Sequence, residues 1–510
     1  MLSGYTPNDA PRHDPSPPRS SIAQFHAVQR TAVVSSRVEM AATIDRGRRA
    51  FLRAGGAAAL GVAASRLDGR SQPAPSEDLW LEADRILRRI VAPRFPSREF
   101  DLRRYGARDD GSGDSSAAFR SAIQACADAG GGRVTVPAGR FLTGPIVLRS
   151  NVELHVAQGA TILFSRDANQ YLPLVLTRYE GVELMNYSPF IYALDQSNIA
   201  ITGSGTLDGQ ADEEHWWSWR NRAVAPAGSR ARLMSMAERN VPVAERVFGA
   251  GSDMRPVFIQ PYRCRGVLID GVTIVNSPMW EINPVLCENV TVRGVSVHSH
   301  GPNNDGCDPE SCRDVLIERC TFDTGDDCIA LKSGRNADGR RLHAPIENVV
   351  IRDCVMQDGH GGVVIGSEIS GGARNIFAER CRMDSPRLDR VLRFKNNAER
   401  GGLIERIAMR QITVGQVAEA IIAADFYYEE GDTGSFTPIL RNVDVRDVTS
   451  RKSKYAFMIK GYARAPISDI RVTDCSFDGV EQPDVIEGMR DLVLTNVRIN
   501  GQARTVRITK

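Results

Sequence analysis

From Val267 onward, apolar residues begin nine short segments, at Val267, Val290, Val315, Val349, Ile376, Ile407, Val443, Ile470 and Leu492. The residue two places on is also apolar, from Ile269, Val292 and Ile317 through to Leu494, which is the alternation of a strand with one buried face. The fifth residue onward is compact and apolar in all nine: Val272, Val295, Cys320, Cys354, Cys381, Ile412, Val448, Cys475 and Val497. The seventh is apolar in all but Ser450. Starts lie 23, 25, 34, 27, 31, 36, 27 and 22 residues apart, which suits coils of short strands with loops of variable length. No run of period 3.6 accompanies them, so an α-helical solenoid is excluded. The pattern predicts an all-β chain folded as a parallel β-helix, in which each coil buries its inward face by stacking on its neighbours.

Two helices are predicted ahead of the coils. Ser76-Glu77-Asp78 offers a capping residue and an acidic first turn to the apolar series Leu79, Trp80, Leu81, Ile86, Leu87 and Ile90. Residues 116–127 put Phe119, Ala122, Ile123 and Cys126 on one face, a helix suited to plugging the open N-terminal end of the coils, where bare strand edges invite pairing. A 68-residue interval separates Ile199 from Val267, about twice a usual coil, and carries Trp216, Trp217 and Trp219 followed by basic residues from Arg220 to Arg232. This insertion is expected to close one end of a surface cleft, with rings stacked on sugars and arginines on carboxylates.

Four groups of polar residues fall on successive coils: Asp305, the pair Asp326-Asp327, Gly359-His360-Gly361, and Arg393-Phe394-Lys395. Asp326 is eleven residues after Val315 and His360 eleven after Val349, so they hold equivalent stations on coils stacked about 4.8 Å apart. Arg393 and Lys395 point to one face of a strand and Phe394 to the other. Adjacent Asp326 and Asp327 need a bend to face the same way, which Gly325 can supply. Carboxyl groups flanking a glycosidic bond can divide the work, one protonating the leaving oxygen and another activating water, while Arg and Lys hold a sugar carboxylate. Taken singly, these features read otherwise. Asp305-Gly306-Cys307-Asp308-Pro309-Glu310 reads as an acidic turn or a calcium site, His298 and His300 as structural, and Trp280 as packing.

At Asn303-Asn304-Asp305, Asp326-Asp327, Gly359-His360-Gly361 and Arg393-Phe394-Lys395 the chain resembles the glycoside hydrolases of family 28, the polygalacturonase family of pectin-degrading enzymes. Phe100-Asp101-Leu102 and the stretch from Ser204 to Gly209 look familial too, and the resemblance runs from about Phe100 to the C-terminus. Asn304 stands where the family has Thr and Phe394 where it has Ile. The resemblance implies a right-handed parallel β-helix and hydrolysis of α-1,4-galacturonosidic bonds with inversion. In that scheme Asp326 is the general acid, Asp305 and Asp327 position and deprotonate the water, His360 assists the acid, and Arg393, Lys395 and Asn303 bind substrate. No metal or other cofactor is required. Rhamnogalacturonan hydrolases usually lack the histidine, so His360 favours polygalacturonate. A rhamnogalacturonan-type hydrolase, a calcium-dependent pectate lyase and a non-catalytic carbohydrate-binding β-helix remain alternatives.

The net charge of +2 comes from residues 1–74, which hold ten arginines and five acidic residues and leave the remainder near neutral. No nucleic-acid partner is indicated; the expected partner is an acidic polysaccharide and the expected state a monomer. Arg48-Arg49-Ala50-Phe51-Leu52-Arg53 and the mild apolar run 55–64 resemble a twin-arginine export signal, with the product periplasmic or secreted. Ten such residues are too short for a stable membrane anchor. The expected divisions are 1–39, Pro- and Ser-rich and disordered or untranslated before Met40; 40–74, signal and linker; 75–99, helical; and 100–510, the catalytic β-helix. Cys320, Cys354, Cys381 and Cys475 read as packed thiols, with a bridge involving Cys307, Cys312 or Cys328 left open.

Overall fold

In the computed structural model, which describes residues 76–508, the nine segments stack in the expected register. Val267 pairs with Val290, then Val315, Val349, Ile376, Ile407, Val443, Ile470 and Leu492, all in parallel. Each coil has three faces. In the coil of Asp326 these are Arg313–Glu318, Thr321–Thr324 and Ile329–Leu331. The third face continues through Val363–Ile365, Arg390–Lys395, Ala420–Asp425 and Tyr455–Lys460. Inward residues of all faces merge into one apolar core, which includes the whole compact column from Val272 to Val497.

Corners explain the tight repetition. The residue before each start is left-handed in every coil, including Asn289, Asp314, Asn348, Asn375, Asn442, Asp469 and Asp491, and so is the residue before each member of the compact column, including Asp353, Asp447, Asp474 and Asn496. Asn and Asp tolerate this conformation best among residues with a side chain. Their stacking adds a ladder, since the Asn375 amide donates to Asn348 at 2.9 Å and that of Asn348 to Asp314 at 3.1 Å. All ten cysteines are buried free thiols, so no bridge involves Cys307, Cys312 or Cys328.

Helix α1, Ser76–Arg89, lies on the outside of the first face, where Leu79, Trp80, Ala83 and Ile86 pack on Leu316, Val350, Phe377 and Ala408. The Arg410 guanidinium sits 3.8 Å over the Trp80 ring. Replacing Trp80 by Ala is expected to cost about 3–5 kcal/mol in chemical denaturation without altering kcat, because the helix covers a face that carries none of the candidate catalytic groups. Helix α2, Ser116–Asp128, buries Phe119, Ala122, Ile123 and Cys126 and packs across the end strands Glu99–Asp101 and Gly132–Val136, the capping role expected of it. The expected signal and the segment before it lie outside the described residues. No helix among the described residues is long and apolar enough to cross a membrane.

Two additions cover the third face near its N-terminal coils. An antiparallel hairpin, Val175–Tyr179 with Val182–Asn186, lies on its outer side, where Thr177 bonds Gln260 at 2.5 Å and Arg178 meets Glu310 at 2.8 Å. The insertion folds into α3, Trp219–Ala223, and α4, Ser229–Glu238. Leu233 and Ala237 of α4 share an apolar cluster with Tyr179, Val182 and Leu184 of the hairpin. Trp216 is not the sugar platform expected of it: it is 1 % exposed and packs in the core against Tyr171, Phe190 and Trp219. Trp217 lies against Gly301 and donates its indole N–H to the Ser277 carbonyl at 2.8 Å.

Candidate active site

The carboxylates sit where the second face turns into the third. Gly325 forms that bend, and a Cβ there would come within 2.5 Å of the Gly301 carbonyl oxygen, so this corner takes glycine because the neighbouring coil passes so close. Gly359 holds φ +151° and would bring a Cβ to 2.6 Å from the Asp326 oxygen. Backbone bonds lock adjacent corners together: Asp326 N–H donates to Asn304 O at 3.2 Å, Gly306 N–H to Asp327 O at 2.9 Å, and His360 N–H to Asp326 O at 3.0 Å. The buried Asn304 side chain accepts from Ser299 at 2.6 Å and from the Gly301 N–H at 2.8 Å, and donates to the Ser277 and Met279 carbonyls. Residue 304 therefore shapes the loop that delivers Asp305.

Asp305, Asp326 and Asp327 bring carboxylate oxygens within 4.8 Å of one another. Nδ1 of His360 lies 3.0 Å from Oδ1 of Asp326, so the equal stations expected from the repeat do meet. Asp327 is fully buried beneath the groove and accepts from Lys395 at 2.5 Å and Arg393 at 3.2 Å. Phe394 points into the core, as alternation requires. Lys395 is only 6 % exposed, so its ammonium serves Asp327 first and any sugar carboxylate second. The Asn303 side-chain oxygen is occupied by the buried Arg255, which donates to it at 2.7 Å.

The environment separates the carboxyl groups. Burial pushes Asp305 well above the usual carboxylate range, reinforced by the charges of Asp308 and Asp326 and only partly opposed by Lys332. Burial acts on Asp327 in the same sense, but Lys395, Arg393 and Lys332 outweigh it and hold that carboxyl down at about 2. The hydrogen bond to Asp326 raises the His360 imidazole above its ordinary value, against burial. Burial thus disfavours the ionised form of Asp305, while Asp326, the general acid by resemblance, is the member whose side chain opens on the groove, at 20 % exposed.

Several supporting residues escaped the sequence. Lys332 is buried 3.6 Å from both Asp305 and Asp308 and 3.2 Å from Glu368, with its ammonium 4.4 Å over Trp280. Burial raises the Asp308 carboxyl to about 8 despite Lys332, and the carboxyl of Glu281 well above its usual range. The aromatic ring of Tyr428 stands 5.4 Å from the Lys395 ammonium. A signal for Lys332 existed: in the third-face register it occupies the station that Lys395 holds two coils on.

A family model described as glycosyl hydrolases family 28 matches residues 249–495. The solved structure of a hyperthermoactive exopolygalacturonase from Thermotoga maritima superposes with a TM-score of 0.81 at 45% identity, covering 85% of this chain and 99% of that one. The chain belongs to glycosyl hydrolase family 28. This glycosidase shares the right-handed parallel β-helix of that family. It is also similar to the exo-poly-alpha-D-galacturonosidase of Dickeya chrysanthemi, 28% identical over 437 residues that span 78% of this chain and 70% of the relative. A family 28 exopolygalacturonase of Yersinia enterocolitica, at 22% identity and a TM-score of 0.67 over 81% of this chain and 78% of that one, has the same fold.

Proposed function

We propose that this family 28 glycosidase hydrolyses the α-1,4-galacturonosidic bonds of polygalacturonate from a chain end. The observation that carries the hydrolytic reading is the convergence of three carboxylates within 4.8 Å beside His360 and the Arg393–Lys395 pair. Asp326 gives a proton to the glycosidic oxygen as its bond to the anomeric carbon breaks. Asp327, held ionised by Lys395 and Arg393, accepts a proton from the attacking water, which Asp305 helps to position. Arg393 at the groove surface pairs with a uronate carboxylate. The nearest oxygens are closer than the about 6.5–9.5 Å usual for inverting carboxyl pairs, so inversion rests on family membership rather than on this spacing.

Exo action is supported by the wall beside the groove. The hairpin tip Glu180-Gly181 seats on Arg335 and Glu368. Arg230 of α4 binds Glu180 at 2.7 Å, and Arg335 reaches Glu180 at 3.3 Å and Glu429 at 2.9 Å. Hairpin, insertion and later loops thereby tie together over the coils that flank the carboxylates, as a groove closed at one end would require. Digestion of polygalacturonate should release monomer from the outset, with no ultraviolet-absorbing unsaturated product and no need for added calcium. A ladder of oligomers would remove the exo reading, and an unsaturated product would replace hydrolysis by elimination.

His360 is proposed to hold the Asp326 carboxyl in place. Its raised proton affinity means the imidazolium partnership is complete below about pH 6.5 and is lost as pH rises through the raised value. His360→Gln is expected to lower kcat by about 10²-fold and to shift the alkaline limb of the pH–rate profile, with KM little changed; an unmoved limb would contradict the role. Export through the twin-arginine route is proposed from Arg48-Arg49 and the following apolar run, and Arg48→Lys with Arg49→Lys should retain the protein in the cytoplasm.

A further inference from the structure

His298 and His300 stand two residues apart on the second face, and Asp323 follows on the next coil with its Cα in register with that of His298. Nδ1 of His298 lies 2.7 Å from Oδ2 of Asp323, and Nε2 of His300 lies 2.9 Å from Oδ1. Donor atoms of all three groups fall within 4.8 Å of one another. The two rings have centroids 5.2 Å apart and planes inclined at 65°, so they reach the carboxylate from different directions instead of stacking. Both imidazoles are open to water, with side chains 68 % and 40 % exposed.

We propose that His298, His300 and Asp323 form a binding site for a divalent first-row transition cation of the zinc type, separate from the catalytic carboxylates. Two imidazole nitrogens and one carboxylate, with the remaining positions open to water, form a donor set that suits such a cation. Calcium and magnesium prefer oxygen donors throughout, and two nitrogens of three disfavour them. Metal–ligand bonds of about 2.0–2.2 Å in a tetrahedral shell place donors about 3.3–3.6 Å apart, so the nitrogen–oxygen separations of 2.7 and 2.9 Å need to open by about half an ångström. The cation would replace the protons that the imidazoles now share with Asp323, and only small side-chain shifts are required.

Position gives the site a consequence. His300 leads directly into the loop that carries Asp305, and Asp323 precedes the Gly325 bend that carries Asp326 and Asp327. The two segments are joined by the Gly325 N–H donating to Ser299 O at 2.9 Å. A cation held by His298, His300 and Asp323 would therefore clamp both turns that present the catalytic carboxylates. The reaction itself does not pass through it.

Titration of the full chain with Cu2+, read by electron paramagnetic resonance, should show one site with hyperfine coupling from two imidazole nitrogens. Zn2+ should raise the melting temperature. Both responses should be lost in the His298→Gln, His300→Gln double variant and retained in His360→Gln, whose imidazole lies beside the other carboxylate cluster. The two imidazoles are exposed, so the double variant should fold with the melting temperature of the metal-free wild type; if it does not, Asp323→Asn alone should abolish the Zn2+ shift. Unchanged copper coupling in the double variant, or its loss in His360→Gln instead, would overturn the assignment.

Discussion

Asp326→Asn is expected to lower kcat on polygalacturonate by about 10³-fold or more, with KM close to wild type and the far-ultraviolet circular dichroism unchanged. General acid catalysis contributes about 10²–10⁴-fold, and the amide keeps the shape of the carboxyl while withdrawing its transferable proton. Folding should not suffer, because the Asp326 side chain is partly open to the groove and its side-chain partners are His360 and the Asp327 N–H. Steady-state rates measured by reducing ends, together with substrate binding to the variant, separate lost chemistry from lost binding. A variant with more than a tenth of wild-type kcat would remove Asp326 from the acid role.

Lys395→Met is expected to damage both activity and folding. Asp327 is wholly buried between Lys395 and Arg393, and removing one partner of a buried ion pair typically costs about 3–5 kcal/mol because the other charge is left uncompensated. In the wild type the depressed Asp327 carboxyl contributes stability that is present above the ordinary aspartate value near 4 and is lost as pH falls toward about 2. The variant should therefore show a weaker loss of stability across that acid window. Adding Asp327→Asn to Lys395→Met should recover part of the stability and none of the activity. Urea unfolding at several pH values reads the first two effects, and a variant as stable as wild type at pH 6 would mean that the pair is not coupled.

What the sequence made legible follows from the physics of a solenoid. One register, fixed by Val315 and Val349, places Asp326 and His360 side by side, because stacked coils allow little freedom between equivalent stations. Strand alternation likewise sets Arg393 and Lys395 against Phe394. Alternation does not reveal that Lys395 is nearly enclosed, since burial on the outer face depends on what covers it. That cover includes Tyr428 of the following coil, whose ring stands 5.4 Å from the Lys395 ammonium, and no local pattern announces the pairing. Glu281 and Lys332 escape for the same reason, and Asp308 reads only as part of an acidic turn or a calcium site: read alone, a charged residue on an outward station looks solvated.

Trp216 shows the opposite failure. An aromatic cluster followed by arginines does suit sugar binding, but a ring of that size gains more from a core position, and its surroundings of Tyr171, Phe190 and Trp219 come from three different segments. The corner columns of Asn and Asp could have been read, because their place just before each apolar start is periodic. They matter to function indirectly. Rigid corners hold successive coils in register, and that register sets the spacing of Asp305, Asp326 and His360.

Proton nuclear magnetic resonance of the first products from polygalacturonate tests the central claim most directly, since it reads both hydrolysis and its stereochemistry in one experiment. The predicted result is saturated galacturonic acid appearing first as the β-anomer, with the α-anomer growing in by mutarotation. First appearance of the α-anomer, a 4,5-unsaturated uronate, or no product at all would contradict it.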